Sequence, residues 1–171
     1  MDIDLLRQLN PDADFGKAGT TITVANVEGG ETPEKVAWLE ADKSIGQLRG
    51  YDAEDRLVVA YPATIGSQEN PSPSGVHEVR VVARDAAYYY RPDVNFQQGD
   101  NTEPLTIPPG PNNPIGTVWI DLTEPTYGIH GTPEPEKIDK THSHGCVRLT
   151  NWDAEELARL VEPGVPVEFL E

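Results

Sequence analysis

The stretch VAWLEADKSIGQLRGYDAEDRLVVAYPATIG, Val36–Gly66, decides the fold class. It breaks into short runs rich in Val, Leu, Ile and Tyr, "KVAWLEAD", "GQLRGYD" and "RLVVAYPATIG", separated by Gly, Asp and Pro, which is the pattern of β-strands and their turns. "YDAEDR" reads as a hairpin connection between two of them. Downstream, "GVHEVRVVAR", "GTVWIDL", "YGIHG" and "VPVEFLE" continue the strand pattern. Only "NWDAEELARLVEPG" has strong helical periodicity. Its stripe is Ala154, Leu157, Leu160 and Val161, its cap Thr150 or Asn151, its stop Pro163-Gly164. The expected fold is mainly β, a β-sandwich-like assembly of sheets with one C-terminal helix.

Upstream, "DIDLLRQLNPDADFGKAGTTITVANVEG" predicts a small helix-strand segment: a helix with Leu5, Leu6 and Leu9 on one face, stopped at Asn10-Pro11, then a strand over "TTITVANV", Thr20–Val27. "GGETPEK" has the composition of a linker, so the division is expected at 1–30 and 31–171. From Asp85 to Gly116 the sequence is too rich in Pro, Gly and Asn for helix or central strand. A segment that long inside a domain is commonly functional, and Tyr88, Tyr89, Tyr90 and Phe96 equip it as a substrate-facing lid or as core.

Composition excludes some functions. The 171 residues carry 29 acidic against 13 basic side chains, a net charge of -16, which opposes binding to nucleic acid or anionic lipid. No run approaches the roughly 20 apolar residues of a membrane span. With one cysteine there is no intrachain disulfide, and one thiol is left to react.

The chemistry concentrates in IHGTPEPEKIDKTHSHGCVRLTNWDAEELARL, Ile129–Leu160, which holds the only cysteine and three of the four histidines. A thiol becomes a nucleophile as thiolate, so it needs a lowered pKa or a nearby base. In "SHGC", Gly145 permits a tight turn, backbone N–H groups there can face a developing oxyanion, and the helix that follows would favour negative charge on Cys146 sulfur. His130, ending a strand and followed by Gly131, is the candidate base. A buried, inert Cys146 is the bland alternative. A zinc site of His130, His142, His144 and Cys146 is another, but "HSHGC" lacks the usual ligand spacing. His77 reads as structural or surface.

The same stretch resembles the signature of the L,D-transpeptidase catalytic domain, the YkuD family: His-Gly, a spacer of about a dozen residues, Ser-His-Gly-Cys, a hydrophobic residue, Arg or Asn, then a helix with an early Asp. "LRGYDAEDRLVVAYPATIGSQENPSPSG" is similar to the family's opening, with Ser-Pro-Ser-Gly where the family has Thr-Pro-x-Gly. "LLRQLNPDADFGKAGTTITVANV" resembles the second half of a LysM-like glycan-binding module.

The resemblance implies that Cys146 is the nucleophile and His130 its base, oriented by the carbonyl of Gly131. It implies that Gly145 and His144 shape the turn and oxyanion hole, that Ser143 orders the turn, and that Arg148 holds a carboxylate of substrate. His142 is outside the pattern. The implied activity is cross-linking of peptidoglycan stem peptides: acyl transfer from the third residue, meso-diaminopimelate, with loss of D-alanine, to give 3-to-3 cross-links without metal or cofactor. Water as acceptor would make an L,D-carboxypeptidase or amide hydrolase; a non-enzymatic wall-binding module is the third alternative. The substrate implies export, to the periplasm, with the signal absent from this sequence.

Overall fold

The computed structural model describes residues 3–25, 35–67, 69–92, 101–140 and 145–171, and by internal contacts divides the chain into two units, Met1–Thr32 and Pro33–Glu171. In the first unit, α1 spans Ile3–Leu9 and ends at Asn10-Pro11. The strand expected over Thr20–Val27 does not form within the described residues, which run to Ala25. Its backbone is engaged otherwise: Thr23 N–H donates to the Asn10 side-chain oxygen at 2.6 Å, and the Asn10 amide donates to Thr23 O at 2.7 Å. A side chain has taken the place of a strand partner.

In the second unit the strands are β1 (Trp38–Asp42), β2 (Gln47–Tyr51), β3 (Leu57–Pro62), β4 (Thr64–Ile65), β5 (Gly75–Arg84), β6 (Tyr88–Tyr90), β7 (Leu105–Ile107), β8 (Val118–Leu122), β9 (Gly128–His130), β10 (Val147–Arg148) and β11 (Pro166–Leu170). Among the described residues nine of them join in the order β3-β2-β1-β11-β5-β8-β9-β10-β4, with β6 and β7 paired apart as a hairpin. The fold is mainly β, as the short strand runs predict. Two features roll the sheet. β5 pairs with β11 over Gly75–Glu78 and with β8 over Val79–Arg84, with a register shift between Val79 and Val81, so one strand serves both halves and turns the corner. The two ends of the order, β3 and β4, are separated in sequence by Ala63 alone.

The core follows from strand alternation. Leu39 and Ala41 of β1, Leu48 of β2, and Val118, Ile120 and Leu122 of β8 point inward while their neighbours face out. Onto this face packs α2 (Asn151–Leu160), burying Ala154, Leu157, Ala158 and Leu160 against β8 and β9. Thr150 is its N-cap: Oγ1 accepts from Asp153 N–H at 3.1 Å and donates to the Asp153 carboxylate at 2.7 Å. At the other end, Arg84 donates to Ala158 O. Asp85–Gly116, expected without regular structure, contains the β6-β7 hairpin, Tyr88 opposite Ile107 and Tyr90 opposite Leu105. A short paired hairpin tolerates the surrounding prolines because each strand has one unpaired edge.

Candidate active site

The thiol sits where two strands run side by side. β10 pairs with β9 in parallel, Val147 opposite Ile129 and Arg148 opposite His130. Cys146, one residue before β10, therefore lies opposite Gly128, whose N–H points at the sulfur. Because strand side chains alternate, Gly128 and His130 share a face of β9, while Ile129 between them is fully buried in the core. The imidazole is thus one step of two residues along the strand from the position facing the thiol.

His130 is held tightly. It is buried, its Nδ1–H donates to Gly131 O at 2.6 Å, and Trp119, its register partner on β8, stacks on it with ring centroids 5.6 Å apart. Donation by Nδ1 to a carbonyl leaves the lone pair of the neutral ring on Nε2. Burial pulls the imidazole pKa down to about 4, partly opposed by the Gly131 hydrogen bond and reinforced by the Arg148 cation. His130 is a neutral acceptor at physiological pH.

Cys146 differs from the sequence expectation in two respects. Its thiol pKa is raised, not lowered: burial dominates, and the Gly128 N–H and Arg148 only partly offset it. Nor does a helix N-terminus fall on the sulfur, because β10 intervenes and α2 starts five residues on, at Asn151. The resting pair is a protonated thiol beside a neutral imidazole. The thiol leans toward Thr126 O at 3.8 Å, and Thr126 has φ +74°, a left-handed conformation rare for a β-branched residue.

Gly145 is required by shape. Its φ is +96°, and a Cβ there would meet a Tyr127 ring carbon at 2.4 Å and Pro71 O at 3.0 Å. The carbonyl of Cys146 accepts from Gly66 N–H at 3.5 Å, tying the turn to the end of β4. Arg148 is half-buried; burial lowers its guanidinium pKa while Glu134 and Cys146 pull it up, and it stays charged.

His142, Ser143 and His144 lie outside the described residues. Among the described residues no group of three His, Cys, Asp or Glu side chains is placed to hold a metal. His77 sits on β5 with Nε2 against Ser74 O and its ring edge-on to Phe169. The aromatics of the segment divide: Tyr90 is buried, Tyr89 is 71% exposed, and Phe96 lies outside the described residues. Tyr88, half-buried, titrates above its ordinary value, first through burial and then through the charge of the Cys146 sulfur. Trp119, Thr126 and Gly128 were not evident as site residues from sequence. The only signal was their place in β8, β9 and the turn between them, which register alone converts into contact.

Comparison with known proteins agrees with this geometry. The L,D-transpeptidase catalytic-domain family, YkuD, matches residues 37–169. YkuD of Bacillus licheniformis, classed as an L,D-transpeptidase, is 32% identical over 167 residues, which span 96% of this chain and 84% of the relative. YbiS of Escherichia coli K12, also classed as an L,D-transpeptidase, is 40% identical over 129 residues, 73% of this chain but 42% of the relative. Among solved structures, the catalytic domain of the Enterococcus faecium L,D-transpeptidase superposes with a TM-score of 0.57 at 21% identity, covering 81% of this chain and 99% of that one. The L,D-transpeptidase from Mycobacterium smegmatis gives 0.62 at 17% identity, over 78% and 58%. No helix among the described residues is long and apolar enough to cross a membrane. With the family matched over residues 37–169 and Cys146, one residue before β10, brought beside β9, the strand that ends in His130, this chain belongs to the YkuD family of L,D-transpeptidase catalytic domains.

Proposed function

We propose that Cys146 and His130 perform the two half-reactions of peptidoglycan 3-to-3 cross-linking. Nε2 of His130 takes the thiol proton as Cys146 sulfur attacks the carbonyl of meso-diaminopimelate, residue three of a donor stem tetrapeptide. The peptide C–N bond breaks, the proton passes to the leaving amine, D-alanine departs, and a thioester remains on Cys146. The side-chain amine of a second stem then attacks the thioester, giving up its proton to the imidazole and regenerating the thiol. Arg148 holds a substrate carboxylate through its planar donor fork. The backbone N–H groups at Gly145 and Cys146 receive the oxyanion.

The observation that carries this reading is the fixed Nδ1–H tautomer of His130, which leaves Nε2 free to accept a proton, on the strand face that also opposes Cys146. A neutral pair suits base-assisted attack, with the proton leaving during bond formation, better than a standing thiolate.

The catalytic part corresponds to 31–171, preceded by a partial LysM-like module at 1–30. The substrate places the protein outside the cytoplasmic membrane, in the periplasm.

Intact-protein mass spectrometry after mixing with a disaccharide tetrapeptide tests the proposal. The expected species is an acyl adduct on the protein, absent in Cys146→Ala and formed at least about 100-fold more slowly in His130→Ala, the usual loss for a missing general base. Product analysis then separates outcomes: a cross-linked dimer means the amine is acceptor, a trimmed tripeptide means water. No adduct with the parent protein would reject the assignment.

A further inference from the structure

Asn151 is the first residue of α2, yet its side chain bonds outside its own helix, whose end Thr150 already caps. Asparagine is a poor helix former, so another use for it is expected at this position. Its amide reaches 34 and 40 residues back along the chain: Oδ1 accepts from Thr117 N–H at 3.1 Å, and Nδ2 donates to Pro111 O at 3.2 Å. A backbone N–H only donates and a carbonyl only accepts, so the amide has one orientation.

Thr117 is tied to α2 a second time. Glu155, one turn further along the helix, accepts from Thr117 Oγ1 at 2.7 Å. Both ties fall immediately before β8 begins at Val118, and two residues beyond Thr117 stands Trp119, whose ring stacks on His130.

The oxygen that binds Thr117 is also a wedge. Gly116 and Gly131 face it, and a Cβ on either glycine would overlap Asn151 Oδ1. Gly116 has φ +63°, and a Cβ there would in addition lie 2.6 Å from the Gly131 carbonyl carbon. Gly131 has no positive φ, so its neighbours and not its backbone demand glycine there. Its N–H donates to Val118 O at 3.3 Å, which holds the peptide before it. The Gly131 carbonyl belongs to the next peptide, which glycine's freedom in ψ would let swing. Gly116 and the Asn151 oxygen, packed against Cα and the carbonyl carbon, remove that freedom. This is the carbonyl that accepts from His130 Nδ1–H at 2.6 Å.

We infer that Asn151 is a positioning residue for the base: its amide oxygen, wedged between Gly116 and Gly131, fixes the carbonyl that selects the His130 tautomer. The inference rests on His130 acting as the base in the proposed function. Asn151 acts through that carbonyl and, by way of Thr117, through the strand that carries Trp119.

Imidazole nitrogen-15 resonances read the tautomer directly at about pH 7.5, where burial keeps the ring neutral, and the His130 pair is identified by its loss in His130→Gln. In the parent, Nδ1 should carry the proton. In Asn151→Ala both tautomers should be populated, and acyl-adduct formation at saturating tetrapeptide should slow about five- to tenfold, what one buried hydrogen bond is worth. KM should stay parental, because the loss falls on the chemical step. Asn151→Asp, which keeps the wedged oxygen and its bond to Thr117, should show the parental tautomer and rate.

A folded Asn151→Ala with the parental tautomer, or with raised KM and unchanged kcat, would overturn the inference. So would Asn151→Asp behaving like the alanine variant. If neither variant folds, Asn151 serves the fold alone and the inference is rejected. A parent that forms no acyl adduct would instead sink the acyl-transfer assignment, and the tautomer would still decide the role of Asn151.

Discussion

Acidification should weaken the fold through His130, and by a calculable amount. In the unfolded chain a histidine takes up its proton near pH 6.5; in the folded protein burial holds His130 neutral down to about pH 4. Above 6.5 neither state is protonated and the residue is neutral in the balance. Between 6.5 and 4 the unfolded state binds the proton and the folded state does not, so stability falls as pH falls. From pH 7.5 to 4.5 the integrated loss is about 2–3 kcal/mol, at 1.36 kcal/mol per pKa unit. That is a large share of the 5–15 kcal/mol that separates a typical domain from unfolding.

Urea unfolding followed by tryptophan fluorescence is the assay, because Trp38, Trp119 and Trp152 all lie in the unit from Pro33 to Glu171. Carboxylates such as Asp52, whose pKa is lowered by Arg56 backbone and side-chain hydrogen bonds, add their own acid dependence at lower pH. Parent and His130→Gln are therefore compared at both pH values, and the difference of differences isolates the imidazole. It should be about 2–3 kcal/mol, the parent losing more. If it stays under about 0.5 kcal/mol, His130 is not buried as a neutral ring and the base assignment loses its electrostatic ground.

Other expectations are briefer. Iodoacetamide should alkylate Cys146 with one inflection above the ordinary thiol pKa, moved further up in Arg148→Gln because the offsetting cation is gone; a plateau of thiolate reactivity at low pH would instead reveal a standing ion pair. Gly145→Ala should cost about 1–3 kcal/mol from the φ of +96° alone, plus the collision with Tyr127, and should abolish acyl-adduct formation in whatever protein remains folded. Thr150→Ala should lower stability by about 1 kcal/mol in thermal melts and leave the alkylation rate of Cys146 at its parental value, since the cap serves α2 and not the thiol.

The strand runs, the single periodic helix with its Thr150 cap and the His-Gly and Ser-His-Gly-Cys segments were legible along the chain, because each depends on near neighbours: alternation, a cap bonding three residues on, a glycine needed for a turn. The N-terminal strand was misread because Asn10 bonds the backbone of Thr23, a pairing thirteen residues apart that no local pattern announces. The β6-β7 hairpin was hidden the same way, its two strands separated by fourteen residues from Tyr90 to Leu105.

Sequence by itself put forward the candidate residues: one thiol, a histidine before a glycine, a glycine before the thiol. Tertiary structure alone decided their state. The parallel register of β9 and β10 sets His130 and Cys146 on one face, burial strips water from both, with Trp119 stacked on His130, and Gly131 chooses the tautomer. A neutral thiol and a neutral imidazole result where the motif and the helix after it suggested an activated thiolate, because a charge is set by how much water its surroundings remove, and that depends on residues the chain brings near only when it folds.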